Sequence, residues 1–370
     1  MEKILFVAIV DSHILNFHIP YLKWFKEQGY EVHVASKGDA DIPFVDIKYN
    51  LPFQRSPYKI MNWYVYKHLK KIINENEFKL IHCHTSMGSA LTRFAAKNLR
   101  NKGTKVLYTA HGFYFYQGAP IKNWLLSYPI ENWLSKHTDC LITINKEDYE
   151  IARKKFKAKS IEFVKGVGVD LQKFVPQTSE KKKELRKGYG FNEHDFILIY
   201  AAELNYNKHQ DLLIKAINVV RNRIPRIKLL LAGRGSYSNQ YQQLVKKLHL
   251  EENILFLGQR DDIAGLMQIA DLAVSSSRRE GLPVNVMEAM AVGLPLVVTA
   301  CRGNQDLVED GVNGYVVGID DLQAFAEAIE KLYDSEEIRK SFGEKSKKLV
   351  EQYSLNQVLP EMKEIYMRYL

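Results

Sequence analysis

Cysteine is scarce in this 370-residue chain: Cys83, Cys140 and Cys301 are the only three, and they stand far apart. Their odd number and spacing exclude a disulfide framework and a cysteine metal cluster, and fit reduced thiols in a cytoplasm. No apolar run reaches the roughly 18 residues needed to cross a bilayer. The opening Met1–Val10 lacks the basic flank and cleavage site of a signal peptide and reads as a buried first strand. Also missing are G-x-G-x-x-G after the first strand, G-x-x-x-x-G-K-[ST], H-E-x-x-H and G-x-S-x-G. Gly166-Val167-Gly168 and Gly233-Arg234-Gly235 are lone G-x-G pairs. Asp39-Ala40-Asp41 sits beside Gly38 and Pro43, so it reads as an acidic turn rather than a cation site. No metal and no bound cofactor are expected.

What is present is ordinary in amount and uneven in placement. Hydrophobic residues make up 46% and charged residues 26%, as in a soluble globular protein. The length exceeds one core and points to two units. Residues 1–172 carry 25 Lys and Arg against 16 Asp and Glu, whereas residues 173–370 carry 27 of each. The whole net charge of +9 therefore belongs to the first part. Such a face attracts nucleic acid, anionic lipid or phosphorylated substrates, or serves only solubility. No nucleic-acid recognition motif accompanies it.

Strand patterns alternate with helical ones. In the first part the strands are read at residues 3–10, 31–36, 80–84, 105–110 and 140–145, with helices at 21–28, 62–75 and 89–100. In the second they are read at 196–201, 228–232, 254–257, 272–275 and 296–299, with 314–317 at an edge. Near-continuous apolar strands alternating with helices predict an α/β protein of two doubly wound parallel sheets. The expected domains are 1–172 and 173–353, followed by a helix over 354–370 that either packs on the surface or crosses back to the first domain. Two such domains would face each other across a ligand cleft.

The most informative stretch runs from Ser275 to Gly293, with Glu280 on a strand-to-helix loop and Glu288 on the helix beginning at Val284. Ligands of open α/β sheets bind beyond the strand ends, where two acceptor side chains suit hydroxyl-rich groups. Eight of the eleven histidines lie in the first part. His82 and His84 alternate along a strand and are either packed or ligand-facing. His111 closes a strand and precedes Gly112, where a ligand can approach the backbone.

Together these residues resemble the retaining GT-B glycosyltransferases of glycosyltransferase family 4. The likeness rests on Glu280-(seven residues)-Glu288 with Gly281-Leu282-Pro283, His111-Gly112, Gly168-Val169-Asp170 with Phe174, and Asp310 to Gly314. More narrowly, Phe17 to Leu22, Ile81 to Thr85 and Glu203 to Lys208 resemble bacterial capsule and exopolysaccharide transferases. The resemblance implies a GT-B fold and a UDP-sugar donor, best read as an N-acetylated hexosamine, with a polyprenyl-diphosphate-linked saccharide as acceptor. It implies metal-independent transfer by front-face attack. The rival readings are a non-hydrolysing UDP-sugar epimerase and a non-catalytic nucleotide-sugar-binding protein.

By the same resemblance, Glu288 would accept from the ribose hydroxyls and Glu280 would sit by the donor sugar. The backbone of Gly281, Leu282, Pro283 and Val284 would face sugar or diphosphate. Lys208 would neutralise the leaving diphosphate, with Asn207 and Gly233 beside it, and His111 would lie at the reacting centre. Glu203 stands where the family usually has an arginine; Arg302 is the first candidate for that cation, then Arg278 or Arg279. Asp11, Ser12, His13 and Asn16 replace a glycine-containing loop and, with His84, are expected to meet the acceptor. Phe113 to Tyr116, Trp124 to Leu126, Trp133 and Leu134, with Lys122 and Lys136, form either an interfacial surface or a core. The first alternative makes the chain a cytoplasmic protein peripherally bound to an anionic inner membrane face.

Overall fold

Short apolar runs rich in branched residues become strands buried on both faces. In a computed structural model describing residues 1–370, the chain divides into two units, Met1–Val167 with Val358–Leu370, and Gly168–Gln357. The first holds β1 (Lys3–Val10), β2 (Glu31–Lys37), β3 (Ile47–Asn50), β4 (Leu80–His84), β5 (Lys105–Ala110), β6 (Cys140–Thr143) and β7 (Ser160–Phe163). These form one sheet in the order β3-β2-β1-β4-β5-β6-β7, and every pair is parallel. The second holds β8 (Phe196–Ala201), β9 (Ile227–Ala232), β10 (Ile254–Gly258), β11 (Leu272–Ser275), β12 (Leu296–Thr299) and β13 (Gly314–Val317). Its order is β10-β9-β8-β11-β12-β13, again all parallel.

Alternation along β1 shows why each sheet carries two helical layers. Leu5, Val7 and Ile9 enter one core with Leu69, Ile73 and Val106. Ile4, Phe6 and Ala8 enter the other with Leu22, Phe25 and, from the chain's last helix, Val358, Met362 and Tyr366. His82 is a packed residue: Nδ1 lies 2.7 Å from the Tyr366 hydroxyl and Nε2 lies 2.8 Å from Thr109 Oγ1.

Three features differ from the sequence expectation. β3 and β7 carry no apolar run that would announce them, because both are sheet edges with partly exposed residues. Asp11–Phe17, expected as a loop, is a helix that starts directly at the end of β1. The units part at Val167–Gly168 rather than at 172, since the Val169 N–H donates to the Tyr353 carbonyl and the Leu355 N–H to that of Val169.

Asp139, at the foot of β6, holds the first unit's sheet to its surroundings. Its carboxylate accepts from Arg100 Nε and Nη2, each at 2.8 Å, from Lys159 Nζ at 2.9 Å and from the Val106 N–H at 2.9 Å. Burial pushes its pKa upward, but these donors outweigh burial and bring it down to about 2. A depressed carboxylate pKa adds stability above the unfolded value that is lost as pH falls through the folded one. Asp139→Asn is therefore expected to cost about 2 kcal/mol at pH 7. The wild type should lose a similar increment between its ordinary pKa of 3.8 and about 2. Superimposable urea melts of the two proteins at pH 7 would count against this.

Candidate functional site

In each sheet, strand order reverses once, between β1 and β4 in the first unit and between β8 and β11 in the second. Loops leaving such neighbouring strands run to opposite faces and open a crevice beyond their carboxyl ends. The candidate residues gather at these two places.

In the second unit, Lys208 follows β8 and Glu280 follows β11. Lys208 Nζ lies 2.5 Å from Glu280 Oε1, and Ser277 Oγ donates to the same oxygen at 2.5 Å. Tyr200 OH lies 2.7 Å from Ser277 Oγ, and Thr299 Oγ1 donates to the Ser277 carbonyl at 2.6 Å. Burial disfavours the Lys208 charge, yet the Glu280 carboxylate outweighs it and holds the ammonium pKa above the ordinary lysine value. The two loops are also stapled through backbone. Asn207 Nδ2 donates to the Arg279 carbonyl at 2.8 Å, the Arg278 N–H donates to that of Asn207 at 2.8 Å, and Ser276 Oγ donates to that of Lys208 at 2.8 Å. Asn207 thus positions the loops.

Gly281 and Pro283 lead into the helix Val284–Val292, whose first turn has no side-chain cap. Its leading N–H groups have no intrahelical partners and suit an anion or a hydroxyl oxygen. The Leu282 side chain is buried, so only its backbone can face a ligand. Arg302 Nε donates to the Glu280 carbonyl at 2.8 Å, which makes it a brace for the loop. A Cβ on the adjoining Gly303 would lie 2.4 Å from the Gly281 carbonyl oxygen, so glycine is required for this approach. Gly233 is constrained similarly, with φ +154° and the Ala202 carbonyl 2.0 Å from an added Cβ. Arg278 Nη1 pairs with Asp320 at 2.7 Å, and its guanidinium sits 4.7 Å from the Tyr206 ring centre. Glu288 is half-buried in its helix. Burial raises its pKa to about 7, only partly opposed by Lys173.

In the first unit, the ends of β1, β4 and β5 bring histidines together. His13 lies on the helix after β1, His18 follows that helix, His84 ends β4 and His111 follows β5. Ring centres lie 3.8 Å apart for His18 and His84 and 4.6 Å apart for His13 and His111. Thr85, at φ +61°, holds a backbone conformation costly for a branched residue directly after His84. Ser12 and Asn16 are exposed on the His13 helix.

Asp11 departs from its expected acceptor role. It is buried and accepts from Ser36 Oγ at 2.5 Å, Lys48 Nζ at 2.8 Å and the Ala40 N–H at 3.0 Å. Its lone pairs pin β1 to the β2 and β3 side of the sheet. The aromatic surface is also redrawn: Phe113, Phe115 and Leu134 are core, while Tyr114, Leu125, Leu126 and Trp133 are exposed. His18, Ser277, Tyr200 and Thr299 were not anticipated as site residues. His18 falls within the stretch Phe17 to Leu22, but only strand order puts it beside His84.

The glycosyl transferases group 1 model matches residues 181–349, and the glycosyl transferase 4-like model matches residues 3–145. EpsD of Bacillus subtilis (strain 168) is 46% identical over 376 residues, covering 100% of this chain and 97% of that one. The chain belongs to glycosyltransferase family 4. It is also similar to the Escherichia coli UDP-Gal:alpha-D-GlcNAc-diphosphoundecaprenol alpha-1,3-galactosyltransferase, 28% identical over 305 residues, with 80% of this chain and 77% of that one covered. Among solved structures, Anabaena Alr3699/HepE in complex with UDP-glucose superposes with a TM-score of 0.81 at 19% identity, covering 100% of both chains. The two doubly wound units of this glycosyltransferase are those of the GT-B fold.

A pH test follows from Glu288. With its folded pKa raised to about 7 from 4.5, the carboxyl favours the folded state below pH 4.5, and that contribution is lost as pH rises through about 7. The ligand-free protein is expected to lose on the order of 2 kcal/mol over this range through this group. Glu288→Gln should flatten that part of the profile. Identical pH–stability curves for the two proteins would remove the assignment.

Proposed function

We propose that this glycosyltransferase moves a sugar, of the N-acetylated hexosamine type, from a UDP-linked donor to a polyprenyl-diphosphate-linked saccharide, with retention of configuration. The product is a growing capsular or exopolysaccharide chain. The observation that carries the donor reading is the part-buried Lys208–Glu280 pair, 2.5 Å apart at the strand reversal of the second unit. A diphosphate placed there meets a fixed ammonium whose charge is preserved by its carboxylate partner. That cation stabilises negative charge as the glycosidic bond breaks, with no divalent ion needed on the diphosphate. Glu280 already accepts from Lys208 and Ser277, which makes it a poor nucleophile and a good holder of sugar hydroxyls. Front-face attack by the acceptor needs no such nucleophile. Glu288, raised in pKa and half-buried, gains hydrogen bonds when ribose hydroxyls arrive.

Acceptor recognition falls to the first unit, through Ser12, His13, Asn16, His84 and His111. The named substrates of the E. coli relative support a lipid-diphosphate acceptor, and the UDP-glucose complex of the Anabaena protein supports a uridine donor. No helix is long and apolar enough to cross a membrane. The helix Ile121–Ser135 instead exposes Ile121, Leu125, Leu126, Ile130 and Trp133 along one face. A relay of ring contacts, Trp133–Phe94–Tyr66–Trp63, continues this surface, with Lys97, Lys70 and Lys67 over the last three rings. Exposed apolar side chains beside lysines suit the headgroup region of an anionic bilayer, reached from the cytoplasmic side.

Glu288→Ala should weaken UDP binding about tenfold, as expected for lost hydrogen bonds to ribose. Lys208→Ala should lower kcat by about 10²–10³ while UDP affinity changes far less. Calorimetry showing unchanged UDP affinity in Glu288→Ala would sink the ribose role. For the membrane face, co-sedimentation at low salt should favour vesicles containing anionic lipid over neutral ones. Leu125→Glu with Leu126→Glu should reduce binding several-fold; equal pelleting with both vesicle types would overturn the docking reading.

A further inference from the structure

We propose that His13, His18, His84 and His111 form a binding site for one divalent transition-metal ion, most simply Zn²⁺, at the strand reversal of the first unit. The inference is independent of the donor-side reading above and revises the acceptor-side one: as ligands of an ion, His13, His84 and His111 would shape the acceptor crevice, leaving direct contact with the saccharide to Ser12 and Asn16. One ligand atom from each of the four side chains lies within 4.8 Å of all the others. His111 Nε2 and His84 Nδ1 are 3.4 Å apart, close to the ~3.3 Å that separates nitrogens around a tetrahedral ion with metal–nitrogen bonds of about 2.0–2.1 Å. The donor set is all imidazole, which suits zinc, copper, nickel and cobalt and does not suit magnesium or calcium.

The second observation is a shortage of partners. His13 Nε2, both ring nitrogens of His18 and His84 Nε2 are buried and make no hydrogen bond. Buried polar atoms are ordinarily satisfied, so unpaired ring nitrogens on His13 and His18, in one cluster with His84 and His111, indicate a missing partner; His84 would bind through Nδ1, the atom facing His111. His82 provides the contrast, since it adjoins the cluster yet has both nitrogens satisfied by Tyr366 and Thr109. The ligands come from the helix after β1, the residue that ends it, the end of β4 and the residue after β5. An ion among them would tie three loops at one point. Cysteine spacing and linear motifs, which give no metal site, do not report histidines assembled by topology.

The test uses the full-length protein, stripped with a chelator and titrated with Co²⁺ as a spectroscopic probe. One equivalent should bind with the visible absorption of a tetrahedral nitrogen site, and Zn²⁺ should displace it. Zn²⁺ should also raise the melting temperature of the stripped protein. His18→Gln with His84→Gln should abolish both responses, whereas exposed His194→Gln should leave them intact. If the double variant does not fold, His13→Gln, at a half-buried position, should weaken Co²⁺ binding at least tenfold. No cobalt absorption in the wild type, or undiminished absorption in folded cluster variants, overturns the site.

Discussion

Reversal of strand order is the constraint from which the chemistry of both units follows. Parallel strands need crossovers, and crossovers of one hand fill both faces of a sheet only if the order turns back once. The turn falls between β1 and β4 and between β8 and β11. Side chains far apart in sequence are thereby delivered to one point. Lys208 reaches Glu280 in the second unit, and His13, His18 and His84 reach His111 in the first.

The two points are electrostatic opposites. The second unit, nearly neutral in net charge, concentrates a part-buried cation and anion where a diphosphate and hydroxyls can share them. The first unit carries the basic excess, yet its reversal point is lined by imidazoles kept neutral by burial. Its lysines instead lie over the rings of Trp63, Tyr66 and Phe94. Net charge therefore describes the outer face of this unit and says little about its crevice.

Central strands were legible in the sequence because burial on both sheet faces demands continuous apolar runs, and β1, β4, β5, β8, β11 and β12 begin and end where those runs do. Edge strands escape that demand, so Ile47–Asn50 and Ser160–Phe163 left no mark. The loop around Glu280 was legible because Gly281 and Pro283 announce a turn before a helix. Its bond to Lys208 was not, since 72 residues separate the pair. Asp11 misled for a related reason: an acidic residue after a first strand looks ligand-facing until Ser36, Ala40 and Lys48 are seen to occupy it.

The last helix carries a consequence for the order of assembly. Val358, Met362, Ile365 and Tyr366 complete a core whose other members begin at Ile4, while all of Gly168–Gln357 intervenes. During synthesis the middle of the chain can finish its own core first, and the beginning must wait for the end. Until then Phe6, Leu22 and Phe25 lack their covering layer, leaving a nascent surface for chaperones to shield. Loss of a few carboxyl-terminal residues would therefore injure the unit that the ribosome made first.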